Sequence, residues 1–254
     1  MTNKTKIALV TGGSRGLGKD MALQLANKGL DVIITYNTNK TEAENVVDEI
    51  KMKGRKAISL QLNVEHSNSF MEFKAKLSSI LKSQFDATHF DFLINNAGAG
   101  VYATFADTTE AQFDSMMNIH LKGPFFLTQH LNSLISEGGG IVNISSGLAR
   151  FTTPGYDAYA TMKGGVETLT KYQAKFFGER KIRVNVVAPG AIETDFGGGA
   201  VRDNPDVNKY VASATALGRV GLPDDIGAVV AFLCTEDSKW INAQRIEVSG
   251  GVNF

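Results

Sequence analysis

The sequence alternates short, continuously apolar runs with longer stretches of helical periodicity. The runs KIALVTG, DVIITY and FDFLINNAG are each followed by a longer helix-like segment, such as GKDMALQLANKG after the first. Residues 7–10 and 32–34 are apolar at every position, which is typical of strands buried on both faces of a parallel sheet. This alternation predicts an α/β fold: a doubly wound, mostly parallel seven-stranded sheet with helices on both faces.

No low-complexity segment, repeat or linker divides the 254 residues, so we predict one domain over residues 1–254. The helical region expected from about Thr109 to Ser136 should kink at Gly123-Pro124. The stretch that follows PGA near residue 190 is irregular and contains three consecutive glycines, 197–199. Because glycine loses much entropy on ordering, we predict a mobile substrate lid at about residues 191–216, with a loose surface loop as the alternative.

The charge balance bears on possible partners. The 26 basic and 26 acidic side chains cancel, so the composition indicates neither nucleic acid nor an anionic membrane as a partner. No apolar run approaches the ~20 residues that cross a bilayer, and MTNKTKIALVTGG lacks a signal-peptide core, so a cytoplasmic protein is expected. The lone Cys234 is expected to be a buried core residue.

A glycine-rich turn joins the first predicted strand to the first helix. The segment LVTGGSRGLGKD places Gly12, Gly16 and Gly18 in G-x3-G-x-G spacing. Glycines there permit a tight turn and the close approach of a pyrophosphate, which the free N–H groups of a helix N-terminus bind. The strand–turn–helix context favours a dinucleotide site over a plain glycine-rich connection.

The end of the second strand bears on which dinucleotide is bound. Many NAD-binding proteins carry an acidic residue there, whereas this strand ends in Tyr36, Asn37 and Thr38. Asp31 lies at the opposite end of the strand. Arg15, within the glycine loop, could meet a 2′-phosphate. The pattern favours NADP(H) over NAD(H), and a solvated surface role for Arg15 is the alternative.

The segment YDAYATMKGG holds two tyrosines and one lysine. Tyr159 and Lys163 are four residues apart and share a helix face, whereas Tyr156 does not reach the lysine at that interval. The same spacing recurs at Tyr36 and Lys40, so the pair alone is weak evidence. Tyr156 is expected on the loop that enters the helix, as a pocket wall.

Several motifs occur in one order along the chain. Together TGGSRGLG, NNAG, Asn118, Ser146, Tyr159-x3-Lys163 and PGAIETD resemble the short-chain dehydrogenase/reductase family across essentially the whole sequence, most of all its 3-oxoacyl-acyl-carrier-protein reductase-like members. The resemblance implies a single Rossmann-like domain. It also implies an oxidoreductase that transfers a hydride between NADP(H) and a carbonyl or secondary alcohol.

The resemblance implies four catalytic residues. Hydride transfer to a carbonyl builds negative charge on oxygen, and Tyr159 would donate the proton in reduction. Lys163 would favour the phenolate and hydrogen-bond the nicotinamide ribose. Ser146 would orient the substrate oxygen, since strand alternation points Ser145 the other way. Asn118 would distort its helix and hold a water that relays protons to Lys163.

Cofactor contacts carry over position by position, and Asn95 is also expected to brace the central sheet. The implied set is Gly12, Ser14, Arg15, Gly16, Leu17, Gly18, Tyr36, Asn37, Thr38, Asn63, Val64, Asn95, Ala97, Gly98, Tyr159, Lys163, Pro189, Gly190, Ile192 and Thr194. The four histidines show no ligand spacing with cysteines or acids, so no metal is predicted and they are taken as solvated or core residues. They are His66, His89, His120 and His130.

Five apolar residues predict a pocket for a small or medium carbonyl compound: Val101, Tyr102, Leu148, Phe151 and Phe196. Acyl-carrier reductases often have basic residues before the fifth strand, whereas this chain reads LISEGGG there. A carrier-linked substrate is therefore left open, and an NADPH-dependent carbonyl reductase is the favoured function. An NAD-dependent alcohol dehydrogenase and a non-catalytic nucleotide-sensing protein are the alternatives.

Self-association is also implied by the resemblance. The long helices around residues 109–136 and 157–178 would pair in a homodimer or homotetramer. Apolar area for this contact would come from four aromatic residues, although core burial explains some of them equally well: Phe125, Phe126, Phe176 and Phe177.

Overall fold

A computed structural model describes residues 5–253. Its strands are β1 (Ile7–Val10), β2 (Asp31–Tyr36), β3 (Ala57–Gln61), β4 (Phe90–Asn95), β5 (Ile135–Ile144), β6 (Arg183–Pro189) and β7 (Arg245–Val248). They form one sheet in the order β3-β2-β1-β4-β5-β6-β7, and every neighbouring pair is parallel. The predicted seven-stranded α/β fold is confirmed, and the sheet is parallel throughout.

Helices cover both faces of this sheet. They are α1 (Gly16–Asn27), α2 (Lys40–Met52), α3 (Phe70–Phe85), α4 (Glu110–Met117), α5 (Gly123–Leu131), α6 (Asp157–Phe177), α7 (Ala200–Asp203), α8 (Pro205–Ser213) and α9 (Pro223–Leu233). One buried apolar cluster joins α1, α2 and α9 to the sheet, and a second joins α3, α5 and α6 to it. All residues of β1 and β2 are buried, as their continuous apolar runs predict.

The chain reverses its direction of travel across the sheet between β1 and β4. These two neighbouring strands are followed by connections that leave in opposite directions along the sheet, because β2 and β3 lie on one side and β5 to β7 on the other. Such a switch point opens a crevice at the carboxyl ends of the strands, where α/β proteins bind ligands. The glycine loop after β1 and the NNAG segment after β4 both lie at this edge.

The helical region after β4 is interrupted just before the predicted kink at Gly123-Pro124, from Asn118 onward. A five-residue π-helix, Asn118–Lys122, separates α4 from α5. The break arises because Pro124 has no N–H to donate to the carbonyl of His120, while the N–H of Gly123 bonds to Asn118, five residues back. The region also ends before Ser136, since β5 begins at Ile135.

The segment predicted as irregular contains two short helices. A turn at Phe196–Gly199 has three glycines with φ of +61°, +74° and +79°, conformations that residues with a side chain rarely adopt. Helix α7 follows, and Asn204 then caps α8, accepting the N–H groups of Asp206 and Val207. Asn204 before Pro205 is a helix-start signal that the glycines obscured.

Candidate active site

The glycine loop is shaped by close backbone packing at the switch point. Gly12 and Gly16 have φ of +65° and +52°, which glycine adopts without strain. Gly18 lies directly against the carbonyl of Gly12, leaving no room for a side chain. The first turn of α1 has no side-chain cap at Arg15 and no acidic residue. Its N–H groups and the positive end of the helix therefore face the crevice, as an anion site requires.

Asn96 holds this loop to the neighbouring strand. Its side-chain nitrogen donates to the carbonyls of Thr11 at 2.9 Å and Gly12 at 3.2 Å. In return, the Thr11 hydroxyl accepts the backbone N–H groups of Asn96 and Ala97, each at 3.0 Å. The Ala97 backbone lies 2.9 Å from where a Cβ on Gly12 would stand. Asn96 was missed in the sequence analysis, although it stands in the NNAG motif.

Asn95 is committed to the interior of the protein. Its side-chain nitrogen donates to the Asn143 carboxamide oxygen at 2.8 Å and to the Thr128 hydroxyl at 3.1 Å. The Asn143 nitrogen in turn donates to Thr170 and Gln173, both on α6. This buried polar network joins β4, β5, α5 and α6, because each donor and acceptor must be satisfied away from water. The bracing role expected for Asn95 is confirmed.

The predicted nucleotide-binding positions at the end of β2 carry no carboxylate. Tyr36 is buried, whereas Asn37 and Thr38 are exposed. Asp31 begins the strand, where its carboxylate accepts the N–H of Lys56 at 2.8 Å. The Arg15 side chain is 68% exposed and its guanidinium lies 3.6 Å from the Asp195 carboxylate. An exposed ion pair of this kind contributes at most about 1 kcal/mol, so Arg15 is free to exchange Asp195 for another anion.

Two further predicted positions, Asn63 and Val64, follow β3. The Asn63 side-chain oxygen accepts the N–H of Glu65 at 3.0 Å and so shapes the turn. The Val64 carbonyl faces α5, 2.8 Å from where a Cβ on Gly123 would stand. The Asn63 side chain therefore stabilises the loop that follows β3. The Val64 carbonyl of the same loop packs closely against α5 at Gly123.

The predicted nicotinamide-pocket residues lie after β6. Pro189 ends the strand, and the N–H of Gly190 donates to the Val248 carbonyl at 3.0 Å. Ile192 forms an isolated bridge with Gly221. Thr194 is buried and its side chain is 3.6 Å from where a Cβ on Gly16 would stand. The glycine loop and the segment after β6 are thus the two walls of one crevice.

Tyr159 and Lys163 are buried together on α6. The Lys163 ammonium lies 5.4 Å from the centre of the Tyr159 ring and donates to the Ile144 carbonyl at 2.7 Å. Only 7% of Tyr159 and 5% of Lys163 is exposed. The four-residue spacing brings the two groups to the same face of the helix, as predicted.

Burial dominates the titration of both groups. It raises the pKa of Tyr159 well above its ordinary value, although the Ser146 hydrogen bond opposes this shift. Burial also lowers the pKa of Lys163 to about 7. Desolvation is thus the largest cause of the shift in each pKa. The expectation that Lys163 favours the phenolate concerns the complex with oxidised cofactor, where the nicotinamide cation adds to its charge, and it stays a prediction.

The two serines after β5 face opposite ways. Ser146 caps a turn at Gly147–Ala149 by accepting the N–H of Leu148 at 3.2 Å, and its hydroxyl lowers the pKa of Tyr159 against the effect of burial. Ser145 instead donates to the Glu167 carboxylate at 2.7 Å. Strand alternation predicts this division.

The π-helix brings two polar side chains to the site. The Asn118 carboxamide oxygen is buried, with no hydrogen-bond partner within residues 5–253. His120 is 1% exposed, and its ring meets that of Tyr159 edge to face at 4.9 Å. The sequence analysis took His120 as a solvated or core residue, and the structure places it beside the tyrosine.

Aromatic rings line the approach to Tyr159. The ring centres of Phe196 and Tyr156 lie 5.4 and 6.5 Å from that of Tyr159, and Tyr102 meets Tyr156 edge to face at 5.7 Å. Phe151 packs against Gly147. Leu148 and Val101 join the same apolar cluster as Tyr159. Four of the predicted pocket residues thus lie near Tyr159, directly or through Tyr156: Val101, Tyr102, Leu148 and Phe196. Tyr156 immediately precedes α6 as expected.

Comparison with known proteins identifies the chain. A family model described as enoyl-(acyl carrier protein) reductase matches residues 12–253. The hydroxynaphthalene reductase-like protein Arp2 of Metarhizium brunneum is 35% identical over 97% of this chain and 94% of its own. The reductase LugOII, which catalyses keto-reduction at C1 during lugdunomycin biosynthesis, is 37% identical with a TM-score of 0.92 over 98% of both chains. The angucycline C-6 ketoreductase LanV, solved with bound NADP, is 36% identical with a TM-score of 0.92 over 98% of this chain and 96% of its own.

The chain belongs to the short-chain dehydrogenase/reductase family. The resemblance predicted from the motifs is confirmed, and the protein is an oxidoreductase. The family model begins at Gly12, so the glycine loop, the Tyr159–Lys163 pair and the segment after β6 all lie within the match.

Three further features of this short-chain dehydrogenase/reductase concern metal ligands, the cysteine and membrane-spanning helices. Within residues 5–253, no group of three or more histidine, cysteine or acidic side chains could hold a metal ion. Cys234 is buried, and burial raises the pKa of its thiol to about 12, as suits an inert core residue. None of the helices in the described part of the chain has the length and apolar character needed to span a membrane.

Adding a methyl group at Gly18 is expected to abolish dinucleotide binding by this reductase. The Cβ of Gly18→Ala would overlap the Gly12 carbonyl and the Asn96 side chain, so the loop must open. We expect the Kd for NADPH, measured by fluorescence titration, to rise by at least about tenfold. Gly178→Ala is the control, because Gly178 is exposed with helical φ and open space around it. Unchanged binding in the Gly18 variant would contradict the packing described for the loop.

Proposed function

We propose that the protein is an NADP(H)-dependent carbonyl reductase. The observation that carries this proposal is the Tyr159–Lys163 pair, buried together at the carboxyl edge of the sheet where the glycine loop also lies, with Ser146 acting on Tyr159. A proton donor and a hydrogen-bond donor next to a dinucleotide crevice are what reduction of a carbonyl requires. The similarity to LugOII and LanV, both described as ketone reductases, supports the same reaction.

Bound NADPH would supply the hydride. The Tyr159 hydroxyl would donate its proton to the substrate oxygen as negative charge develops there, because burial keeps the phenol protonated until that moment. Ser146 would donate a hydrogen bond to the same oxygen. Lys163 would stabilise the resulting phenolate, and Asn118 is proposed as the fourth member, through its buried carboxamide oxygen. In alcohol oxidation the same groups would act in reverse.

The crevice fits NADP(H) better than NAD(H). The uncapped N-terminus of α1 suits a pyrophosphate, and the end of β2 has no carboxylate to repel a 2′-phosphate. LanV, the 36% identical relative, was solved with NADP bound. We propose that Arg15, Asn37 and Thr38 receive the 2′-phosphate and that the predicted residues of the crevice bind the rest of the cofactor.

Replacing Arg15 with alanine should weaken NADPH binding selectively. Loss of a charge-assisted contact to the 2′-phosphate is expected to raise the Kd for NADPH by about tenfold or more, with little change for NADH. Isothermal titration with both cofactors measures this preference. Lys28→Ala, at the other end of α1, is the matched control for loss of one positive charge. An equal loss for NADPH and NADH would contradict the role of Arg15, and a wild type that prefers NADH would favour an NAD-dependent alcohol dehydrogenase.

We infer that the substrate is an aromatic ketone of fused-ring size. The rings of Tyr102, Tyr156 and Phe196 around Tyr159 offer edges and faces to a planar substrate. By its name, the 35% identical relative Arp2 resembles a reductase of hydroxynaphthalene, a fused pair of aromatic rings. Carrier-linked acyl substrates are less favoured, since Glu137 occupies the segment where the resemblance implies basic residues that contact an acidic carrier. Glu137 lies inside β5, and not before it as the sequence analysis expected.

A substrate panel tests this proposal. NADPH oxidation should be followed with fused-ring aromatic ketones, monocyclic aromatic ketones, linear 3-oxoacyl thioesters and simple aldehydes. The fused-ring ketones are expected to give the highest kcat/KM. Turnover of the thioesters alone would move the assignment to acyl substrates. No turnover with any compound, despite tight NADPH binding, would favour the nucleotide-sensing alternative.

We propose that residues 191–216 act as a lid of the single domain. Phe196 contacts Tyr159, and Asp195 contacts Arg15 of the glycine loop, so movement of this segment would open both the substrate and nucleotide ends of the crevice. The three glycines at 197–199 provide its hinge. We also propose that the protein is located in the cytoplasm. Hydrogen exchange with and without NADPH tests the lid, with slower exchange at 196–213 expected on binding.

We propose a homodimer or homotetramer that pairs α4, α5 and α6. Phe125 and Phe176 are 44% and 68% exposed, and Tyr172 and Phe113 on the same helices are also exposed. Phe177 instead lies in the core, and the partly buried Phe126 packs against it. Four exposed aromatic residues on these three helices favour a protein interface there.

Charge placed on this surface should separate the subunits. The double variant Tyr172→Glu and Phe176→Glu is expected to elute as a monomer at micromolar concentration in size-exclusion chromatography with light scattering, because each carboxylate would be buried unpaired. Trp240→Glu, which removes an exposed aromatic side chain elsewhere, is the control. A wild type that is already monomeric would contradict the interface.

A further inference from the structure

His120 has a buried nitrogen that the proposed chemistry has not used. Its Nε2 lies 2.6 Å from the Ala99 carbonyl oxygen and 3.4 Å from the Ala99 nitrogen. The much shorter contact, to an oxygen that can only accept, assigns the proton to Nε2. In the neutral ring Nδ1 is then a hydrogen-bond acceptor. Nδ1 is buried and has no partner within residues 5–253. Unpartnered buried acceptors are rare and call for a donor.

The surroundings of His120 show which donor is near. The ring packs edge to face against Tyr159 at 4.9 Å, and a Cβ on Gly98 would stand 2.9 Å from its Cε1, so the ring cannot shift away. Burial and the positive charge of Lys163 both hold the pKa of His120 well below its ordinary value. The ring therefore stays neutral with Nδ1 available, and the Lys163 ammonium lies 5.4 Å from the centre of the same Tyr159 ring.

The Glu167 carboxylate, which lies on the same helix as Lys163, is already paired. Glu167, one turn further along α6, accepts from Ser145 and from Arg245, both at 2.7 Å. Tyr159 itself is held protonated by burial. Lys163 has three N–H donors, and the Ile144 carbonyl takes one. An ammonium with free donors and an imidazole with a free acceptor therefore share one buried site.

We propose that His120 is a positioning residue for the Tyr159–Lys163 pair, with Nδ1 linked to the Lys163 ammonium through one bridging water. This contact stabilises the charged form of Lys163, and the locked ring fixes the Tyr159 side chain. The inference rests on the proposed function for its effect on turnover, but the contact itself does not require substrate.

The titration of Lys163 tests the contact directly. Lysine Cε can be labelled with ¹³C, and the Lys163 signal assigned by its loss in Lys163→Met. In His120→Phe, which keeps a ring against Tyr159 but has no acceptor, the pKa of Lys163 should fall by at least about half a unit relative to wild type. His120→Gln, which supplies an amide oxygen, should restore it. An unchanged pKa in His120→Phe would overturn the proposal, as would a shift in Asn118→Ala without one in His120→Phe.

A kinetic readout separates this proposal from the proposed function. With a working ketone, His120→Phe should lower kcat by about tenfold or more with KM changed less than about threefold, and His120→Gln should recover most of kcat. If the wild type reduces no ketone, the proposed function fails while the lysine titration still decides the role of His120. Circular dichroism and NADPH affinity must match wild type in both variants, and a His120→Phe protein that does not fold leaves His120→Leu to decide.

Discussion

Tyr159→Phe is expected to lower kcat by about a thousandfold or more while leaving NADPH affinity unchanged. The hydroxyl is the proposed proton donor, and general acid catalysis contributes about 10² to 10⁴ in rate. The phenyl ring preserves the packing against His120 and Phe196, so the fold should not change. Stopped-flow or steady-state NADPH oxidation with a ketone substrate measures the effect.

Tyr156→Phe is the matched control for Tyr159→Phe. It removes the same hydroxyl from a neighbouring ring that stands at the helix entry and does not meet Lys163. We expect its kcat to stay within about threefold of wild type, since no proton transfer is assigned to it. Full turnover by Tyr159→Phe together with an inactive Tyr156→Phe would show that Tyr156 donates the proton, and this result would contradict the mechanism.

Lys163→Met is expected to make the protein inactive and more stable. Activity should fall by at least about a hundredfold, because the phenolate loses its cationic partner. At pH 7 the free energy of unfolding should rise by about 1–3 kcal/mol, because methionine fills the same volume without the desolvation cost of a buried amine. Part of that gain is offset because the Ile144 carbonyl loses its donor. Chemical denaturation at equilibrium measures the change.

The stability difference should depend on pH in a direction that Lys163 sets. Burial holds the pKa of Lys163 in the folded protein at about 7, below its ordinary value of 10.5. Between these values the unfolded chain binds more protons, so the wild type gains stability as pH rises. The advantage of Lys163→Met should therefore be largest below pH 7 and shrink by up to about 1.4 kcal/mol per pH unit above it. A difference that stays constant from pH 6 to 9 would show that Lys163 keeps its ordinary pKa.

The repeating pattern of the chain was enough to predict its fold. Strand β1 and the centre of β2, residues 32–34, are continuously apolar, which is typical of a parallel sheet covered on both faces. The glycine loop was equally readable, because positive φ and the close contact at Gly18 exclude other residues. In contrast, the predicted kink at Gly123-Pro124 and the distortion expected at Asn118 did not reveal that the two are joined by one π-helix, Asn118–Lys122, whose bonding depends on Gly123 as well as on Pro124.

The sequence by itself determined the element order, the dinucleotide crevice, the Tyr159–Lys163 spacing and the family, because these depend on local periodicity and on residues that backbone geometry requires. Only the tertiary structure decided the contacts between distant segments: Asn96 on the glycine loop, Phe196 over Tyr159, and His120 beside the same ring. It also decided that desolvation governs the titration of Tyr159 and Lys163. Burial is the sum of many long-range contacts, and no single segment of the chain encodes it.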